Sequence, residues 1–378
     1  MQRVTCIALL SLAIGCTSGE LGPGTENHLV FTRLSAGNGF TCALTGDGTA
    51  YCWGLNDKGQ LGDGTTTDRT KPTQVATAVR FTTISSGPTH SCALTDNGVA
   101  YCWGVNDFGK LGSGTSGTAS MTPTAVNGNL TFVSIAAGLN NTCTTTDQRQ
   151  VYCWGQIAET NQFGDFFSKT TLNPQLIPGS MVAVVAGDDG GYCSVDPAAL
   201  GYCWGLFYFF PASGPAIPPI REAASATVHF TTLRRGGDHF CGIDPTGQAW
   251  CWGKNSSGQV GNGSTTEVAA PTQVTSNLSF QAVAAGNAFS CGLATGGKLY
   301  CWGLNSSGQL GTGNTTNAST PQAVSTPVLF TNVRAGFDHA CALGADGITY
   351  CWGRNTTGQL GTGITSAGST TPVPVLDN

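Results

Sequence analysis

The chain carries seven cysteine pairs of identical spacing, and this constrains its fold more than any other feature. The pairs are Cys42 with Cys52, Cys92 with Cys102, Cys143 with Cys153, Cys193 with Cys203, Cys241 with Cys251, Cys291 with Cys301 and Cys341 with Cys351, each C-x9-C. The first cysteine of each pair falls 48 to 51 residues after the first of the pair before it. All eight tryptophans lie in the same motifs, with Trp250 as the extra one. A period near 50 means a propeller, a solenoid or an array. Thr41-Cys42-Ala43-Leu44, a Gly46-Asp47-Gly48 turn and Tyr51-Cys52-Trp53-Gly54 read as a β-hairpin. Closing that hairpin brings Cys42 within reach of a cross-strand disulfide to Cys52.

Composition narrows the class. Only 10% of the residues are charged and the formal net charge is −5, which argues against a nucleic-acid partner. No helical period of useful length follows the leader, so the body reads as all-β. Fourteen of 16 cysteines fall in the repeated pairs and Cys6 and Cys16 lie in the leader. Paired cysteines imply an oxidising compartment. Zinc is the competing reading, but C-x9-C is not a knuckle spacing and no histidine accompanies it regularly.

Residues 1–15 read as an export signal, with Arg3 before the apolar run Ile7 to Ile14. Ala13-Ile14-Gly15-Cys16 resembles a bacterial lipobox, which makes Cys16 a lipidation site; Ala13 departs from the usual leucine. The expected location is the cell envelope, lipid-anchored to the outer membrane, with full secretion as the alternative. Residues 16–28 form a polar, Gly-rich tether.

From Leu29 each repeat holds four strand candidates, such as Phe31–Gly37, Thr41–Leu44, Ala50–Trp53 and Pro72–Val75. Asn56 to Gly64 lies between the last two, with Leu61 expected to plug the space between strands. The run G-x4-C-A-L, then G-x-x-Y-C-W-G-x-N-x-x-G-Q-L-G-x-G, resembles the repeat of the regulator of chromosome condensation family. Asn255–Gly263, Asn305–Gly313 and Asn355–Gly363 carry its loop almost unchanged. The resemblance implies a seven-bladed β-propeller over residues 29–378, with four-stranded blades and one disulfide in each. Tyr51 and Trp53 would fill one inter-blade gap, and Cys42, Leu44 and Cys52 would line the other. Whether Pro372–Leu376 closes its own blade or clasps the N-terminal strands is left open.

The candidate chemistry is thin. His90, His239 and His339 share one repeat position on different blades, too far apart for one metal ion, and read as structural. Asp188 and Asp189, with Asp238 and Asp338 at a related turn, are carboxylates without an evident partner. The sequons at Asn255, Asn305 and Asn355 read as turn chemistry. No cofactor, metal or catalytic residue is assigned, and the chain is read as a non-enzyme. The irregular third and fourth repeats supply the candidate partner-binding residues, Phe163, Phe166, Phe167, Phe207, Tyr208, Phe209 and Phe210. The expected function is a monomeric envelope propeller that recognises another protein through one face. A carbohydrate- or cell-wall-binding propeller is the alternative. An enzyme inhibitor of the β-lactamase-inhibitor kind and a guanine-nucleotide exchange factor stand behind these.

Overall fold

The computed structural model describes residues 29–160, 166–180, 184–186, 191–195, 201–205, 222–223 and 228–376, with side chains at 29–157, 169–177 and 228–376. The leader, the tether and Cys16 therefore lie outside the described residues. Every described strand is antiparallel to its neighbours, and the strands form four-stranded sheets in which chain order is spatial order.

The first sheet holds β1 (Phe31–Ala36), β2 (Phe40–Thr45), β3 (Ala50–Gly54) and β4 (Arg69–Gln74). The second holds β5 (Thr83–Ser86), β6 (His90–Leu94), β7 (Ala100–Gly104) and β8 (Ser120–Ala125). In the third stand β9 (Ser134–Ala137), β10 (Asn141–Thr145), β11 (Gln150–Thr160) and β12 (Phe166–Ser180). The fourth has β13 (Val184–Ala186), β14 (Gly191–Val195), β15 (Gly201–Gly205) and β16 (Glu222–Ala223). The fifth has β17 (Thr232–Arg235), β18 (His239–Ile243), β19 (Ala249–Gly253) and β20 (Val268–Gln273). The sixth has β21 (Phe280–Ala285), β22 (Phe289–Ala294), β23 (Leu299–Gly303) and β24 (Ala318–Ala323). The last has β25 (Phe330–Ala335), β26 (His339–Gly344), β27 (Thr349–Asn355) and β28 (Ser366–Pro374).

The first strands of the sheets touch one another in succession, and β25 touches β1. They form the inner wall of a propeller, and the fourth strands form its rim. In six of the sheets the cysteines are bonded across the central hairpin. Cys42 is joined to Cys52, Cys92 to Cys102 and Cys143 to Cys153. Beyond the fourth sheet, Cys241 is joined to Cys251, Cys291 to Cys301 and Cys341 to Cys351. The bonded Cα atoms lie 4.1 to 4.2 Å apart, because each pair faces directly across the hairpin. These are six stapled blades, where the sequence reading expected seven. The fourth sheet is described in its backbone alone. Cys193 stands opposite Cys203 in its register, but their side chains lie outside the described residues.

Each hairpin uses the two faces of its strands as the alternation requires. Cys42, Leu44 and Cys52 pack with Leu61 and Val75 against Phe81, Ile84 and Trp103 of the second blade. On the other side, Trp53 and Phe31 pack against Cys341, Leu343, Cys351, Leu360 and Val375 of the last blade. Leu61 thus fills the gap between blades, lying against the next blade's tryptophan. Phe31 stacks on Trp53 at 5.7 Å and meets Tyr51 edge-on at 5.9 Å. Gly62 is required where the loop crosses that tryptophan. Its φ is +71°, and a Cβ there would lie 2.7 Å from the Trp103 ring.

The last strand settles how the ring closes. Val373 pairs with Cys351 and Pro374 with Tyr350, so β28 stays in its own blade. Closure between the last and first blades is made by side-chain packing and by main-chain bonds such as Gly363 N to Thr70 O at 2.8 Å, without an exchanged strand.

Candidate interaction surface

The seams between blades share one polar device. The main-chain oxygen of Gln60 accepts from Trp103 Nε1 at 3.0 Å and Ser91 Oγ at 3.1 Å. Gln259 O accepts from Trp302 Nε1 and Ser290 Oγ, both at 2.9 Å. Gln359 O accepts from Trp53 Nε1 at 3.0 Å and Thr41 Oγ1 at 3.1 Å, and so joins the last blade to the first. The three histidines belong to these seams. His90 Nε2 lies 2.9 Å from Thr142 Oγ1, His239 Nε2 2.8 Å from Ser290 Oγ, and His339 Nε2 2.8 Å from Thr41 Oγ1. Each hydroxyl already donates to a main-chain oxygen. Its lone pair must therefore accept from the imidazole, which places the ring proton on Nε2. The three Nδ1 atoms are buried without a partner. Burial holds His239 and His339 at about 4, and burial with the nearby Lys110 charge pushes His90 well down. These rings are neutral ties between blades.

The carboxylates near the axis are also engaged. Lys254 pairs with Asp238 at 3.0 Å and Arg354 with Asp338 at 3.5 Å. Burial raises Asp338 above the ordinary carboxylate value, against the pull of Arg354. Asp188 and Asp189 lie outside the described residues. The sequon asparagines Asn255, Asn305 and Asn355 are buried and hold their own loops. Asn305 Nδ2 donates to the main-chain oxygens of Asn314 and Thr316, both at 3.0 Å, while its Oδ1 accepts from Leu310 N. That is the turn chemistry expected of them.

The second blade departs from this pattern on the face formed by the β1–β2 type turns and the β3–β4 type loops. In the regular loops a glutamine Oε1 accepts a backbone N–H two residues earlier, as Gln60 does from Lys58, Gln259 from Ser257 and Gln309 from Ser307. Lys110 occupies this place in the second blade and cannot accept. Its ammonium instead donates to Thr89 Oγ1 at 2.9 Å and Leu139 O at 3.1 Å. Burial brings Lys110 down to about 8, with Asp107 opposing. The loop tightens into a 3-10 turn over Asp107–Gly109, and Phe108 takes φ 60°. A bulky residue there is a strained one. Phe108 is 41% exposed on the loop face. Sequence reasoning passed over both residues. The signal was available as the single Lys in place of Gln before the Leu-Gly of the loop.

The third blade departs further. The family loop is replaced by a continuation of the hairpin, and the β11–β12 register runs on through Gln156↔Thr170 and Ile157↔Lys169 to Thr160↔Phe166. Five pairs beyond Gly155 carry the ribbon roughly 16 Å past the blade end at strand rise. Leu172, at the foot of this ribbon, lies beside Gly109 of the strained turn, so the two irregular features adjoin. Phe166 and Phe167 are on β12, with side chains outside the described residues. Phe163, Phe207, Tyr208, Phe209 and Phe210 lie outside the described residues altogether.

A cavity of about 680 Å³ opens on the opposite face, between the first and second hairpins. Asp47, Arg80, Arg33, Asn97 and Tyr101 line it. Hydrogen bonds from Thr45 and Thr49, with Arg80 nearby, hold Asp47 at about 2. Among the described residues no group of three metal-ligating side chains occurs.

Comparison with known proteins bears on this architecture. The Regulator of chromosome condensation (RCC1) repeat matches residues 47–94, 97–144, 246–293, 296–343 and 346–377. The ultraviolet-B receptor UVR8 of Arabidopsis thaliana is 39% identical over 69 residues, a stretch that spans 15% of this chain and 16% of UVR8. Prp20p from Saccharomyces cerevisiae, whose structure was described with its binding to Gsp1p and histones, aligns at TM-score 0.75 and 21% identity, over 88% of this chain and 87% of that one. Human WBSCR16 aligns at TM-score 0.72 and 21% identity, over 82% and 86% of the two chains. At these identities the two structures share the fold. With the repeat matched over more than half of its length and the same blades around one axis, the chain belongs to the RCC1 repeat family.

Proposed function

We propose that this protein is a non-catalytic binding scaffold that captures another protein on its loop face, in the cell envelope. The observation that carries this reading is the extended β11–β12 hairpin, which stands beside the outward-turned Phe108. The blades themselves use their polar groups on one another in the tryptophan and histidine ties, and on their own loops in the asparagine ties. The third-blade hairpin and the second-blade turn are where the repeat is broken, and they project from a rigid base. Aromatic residues on such a projection supply contact area at low entropic cost. The aromatic run Phe207–Phe210 of the fourth repeat, outside the described residues, follows the third blade in sequence. In this reading the fourth sheet carries its own Cys193–Cys203 staple and completes a ring of seven blades.

Six buried disulfides fit an exported protein, since such bonds persist in oxidising compartments. Cys16 would then carry the lipid that holds the ring at the outer membrane. That yeast Prp20p binds Gsp1p and histones supports protein recognition as a use of this fold. It does not supply this chain's partner.

The test is crosslinking and affinity capture from the native envelope with three proteins: wild type, a chain whose residues 158–168 are replaced by a tight turn, and Phe108→Ser. A partner held by wild type and lost with the hairpin supports the reading; capture unchanged in both variants rejects it. Retention on polysaccharide columns with no protein captured would favour the carbohydrate alternative.

A further inference from the structure

The outer edges of the rim strands are closed by two devices, and the third blade outgrows both. In six of the sheets a proline directly precedes the rim residue that pairs with the blade's second cysteine: Pro72, Pro123, Pro174, Pro271, Pro321 and Pro372. Val75 N bonds to Ala50 O, which turns Ala50 and Cys52 toward the rim strand and Thr73 toward them. Pro72 therefore stands where an N–H would face outward, and it has none. Two residues before the proline the carbonyl also faces outward, and a glycine of the preceding blade's loop takes it. Gly64 N reaches Met121 O at 2.9 Å, Gly114 N reaches Leu172 O at 3.0 Å and Gly263 N reaches Ser319 O at 2.9 Å. Gly313 N and Gly363 N reach Thr370 O and Thr70 O, both at 2.8 Å. A bare strand edge is a template for another strand, so the rim is built against strand addition.

β12 continues past this closed zone. From Gly155↔Thr171 to Thr160↔Phe166 its register holds without a bulge, and residues 166–171 contain no proline. Two sets of bonds fix which main-chain groups face out. Gln156 N donates to Asn140 O and Gln156 O accepts from Asn141 Nδ2, both at 2.8 Å, so Gln156 turns away from β12. Ile157 and Glu159 then face Lys169 and Phe167, and the main chain of Ser168 and Thr170 turns outward. Leu172 is in the same phase, and its carbonyl is the one that Gly114 takes. Among the described residues no main-chain group bonds to Ser168 or Thr170 on that side. β28 also runs past its blade end, but an irregularity between Arg354 and Asn355 interrupts its edge.

We infer that the outer edge of β12 at Ser168 and Thr170 takes an extended peptide segment of the captured partner as an added strand. This rests on the loop-face reading and names its mode, in which main-chain pairing gives the affinity. The second-blade loop already makes the first bond of such a strand, through Gly114 at Leu172, and closes the slot at its foot. Phe108 belongs to that loop, next to the Gly109 that lies against Leu172, and offers the added segment an apolar contact. A second copy is the poorer occupant. Two ribbons paired about a twofold axis would hold their bodies roughly 16 Å apart through a few main-chain bonds, far short of the area that a stable dimer buries.

The probe is a phage-displayed library of random short peptides selected on the immobilised full chain, followed by affinity measurements on synthetic peptides of the recovered sequences. Thr170→Pro and Ser168→Pro each remove one outward N–H and leave the bonds between β12 and β11 in place. Each weakens peptide binding by at least roughly tenfold. Ala158→Pro closes the other edge of the ribbon and leaves affinity unchanged. Hydrogen exchange at the Phe167 and Lys169 amides, protected in every chain, checks that the ribbon is intact. A second measurement needs no variant. Bound peptide slows exchange at the Ser168 and Thr170 amides of wild type, and N-methylation of the peptide weakens binding at alternate residues. No selected peptide, binding indifferent to both rim prolines, binding lost with Ala158→Pro alone, or N-methylation without a two-residue period would overturn the inference. Self-association of the free chain that Thr170→Pro abolishes would also overturn it, by assigning the edge to a second copy. Replacement of residues 158–168 tests the surface, and the prolines test the mode. Envelope capture lost with the hairpin but kept in Thr170→Pro leaves loop-face recognition standing and rejects strand addition. Peptide binding at this edge with capture unchanged by loss of the hairpin rejects the loop-face reading and keeps the edge as a peptide site.

Discussion

The sixth and last blades and the second and third are built from one repeat but treat their loops differently. In the sixth blade, Asn305 and Gln309 close the loop on itself, and every polar atom of the Asn305 side chain serves the fold. In the second, one lysine replaces that glutamine, and the loop turns an aromatic ring toward solvent. In the third the loop is gone and the hairpin runs on. The frame is unaffected. Trp154 Nε1 still finds the main-chain oxygen of Lys110 at 2.9 Å, as Trp352 finds that of Gln309 at 3.0 Å. Main-chain and core contacts hold a propeller together, while the loop side chains are free to change. Specificity can thus be written on a few blades without loss of the ring.

The comparison can be broken most forcefully in the regular half. Trp352→Ala removes a fully buried ring and its bond to Gln309 O. The expected loss is about 3–5 kcal/mol in urea unfolding; a loss near zero would mean that the seams are not what stabilises the ring. Next in size is the double change of Cys291→Ser with Cys301→Ser, which opens the Cys291–Cys301 staple of the sixth blade. It costs about 2–3 kcal/mol in the loop-entropy picture. The slope of stability against pH comes third. The seam histidines are held below their ordinary value of 6.5, with His239 and His339 at about 4. Between those values the unfolded chain binds protons that the native chain refuses, so stability falls as pH drops from about 6.5 toward 4. Each ring contributes up to about 1.4 kcal/mol per pH unit in that window. In the single variant His339→Gln the slope is shallower by one ring's share; an unchanged slope would show that the imidazole is not buried neutral.

Smaller effects sharpen the contrast between the loops. Lys110→Gln restores an acceptor for the Phe108 N–H, returns the turn to the regular form and stabilises by about 1 kcal/mol, the lower end of the cost of a strained residue. Lys110 is lowered from 10.5 to about 8, so the unfolded chain binds the extra proton between those values. Wild-type stability therefore rises with pH in that window, and the advantage of the variant shrinks. A constant gap between pH 7 and 10.5 would show the ammonium to be solvated. Least affected is a chain in which a tight turn replaces residues 158–168, which leaves the buried Ile157 in place. Its midpoint moves by less than about 0.5 kcal/mol, the usual range for surface changes. A larger drop would make the hairpin part of the frame.

Much of the frame was legible in the sequence because it repeats. The C-x9-C spacing sets both the hairpin register and the staple, and residue alternation assigns Cys42 and Trp53 to opposite gaps. The second-blade turn was signalled in the sequence only by Lys110 in place of the loop glutamine. Asp107-Phe108-Gly109 looks like any other copy, and the change arises because a distant Thr89 and Leu139 O offer the lysine a better place. The third-blade hairpin was obscured for a different reason. Gln156 to Thr160 lacks alternation of apolar and polar residues, so its pairing rests on backbone bonds that composition does not reveal. The aromatic candidates of the third and fourth repeats were chosen for their chemistry alone.

The placement of β28 beside β27 has a consequence for how such a chain can be rearranged. Since no described blade borrows a strand from another, each is one uninterrupted segment, and the seam between last and first carries the same tryptophan tie as the other described seams. Circular permutation at any inter-blade connection, with the original ends joined by a short linker, would relocate that gap and leave every side-chain tie in place. Duplication or exchange of a whole repeat would likewise transplant a loop together with its own support, so that new recognition surfaces could be acquired one cassette at a time.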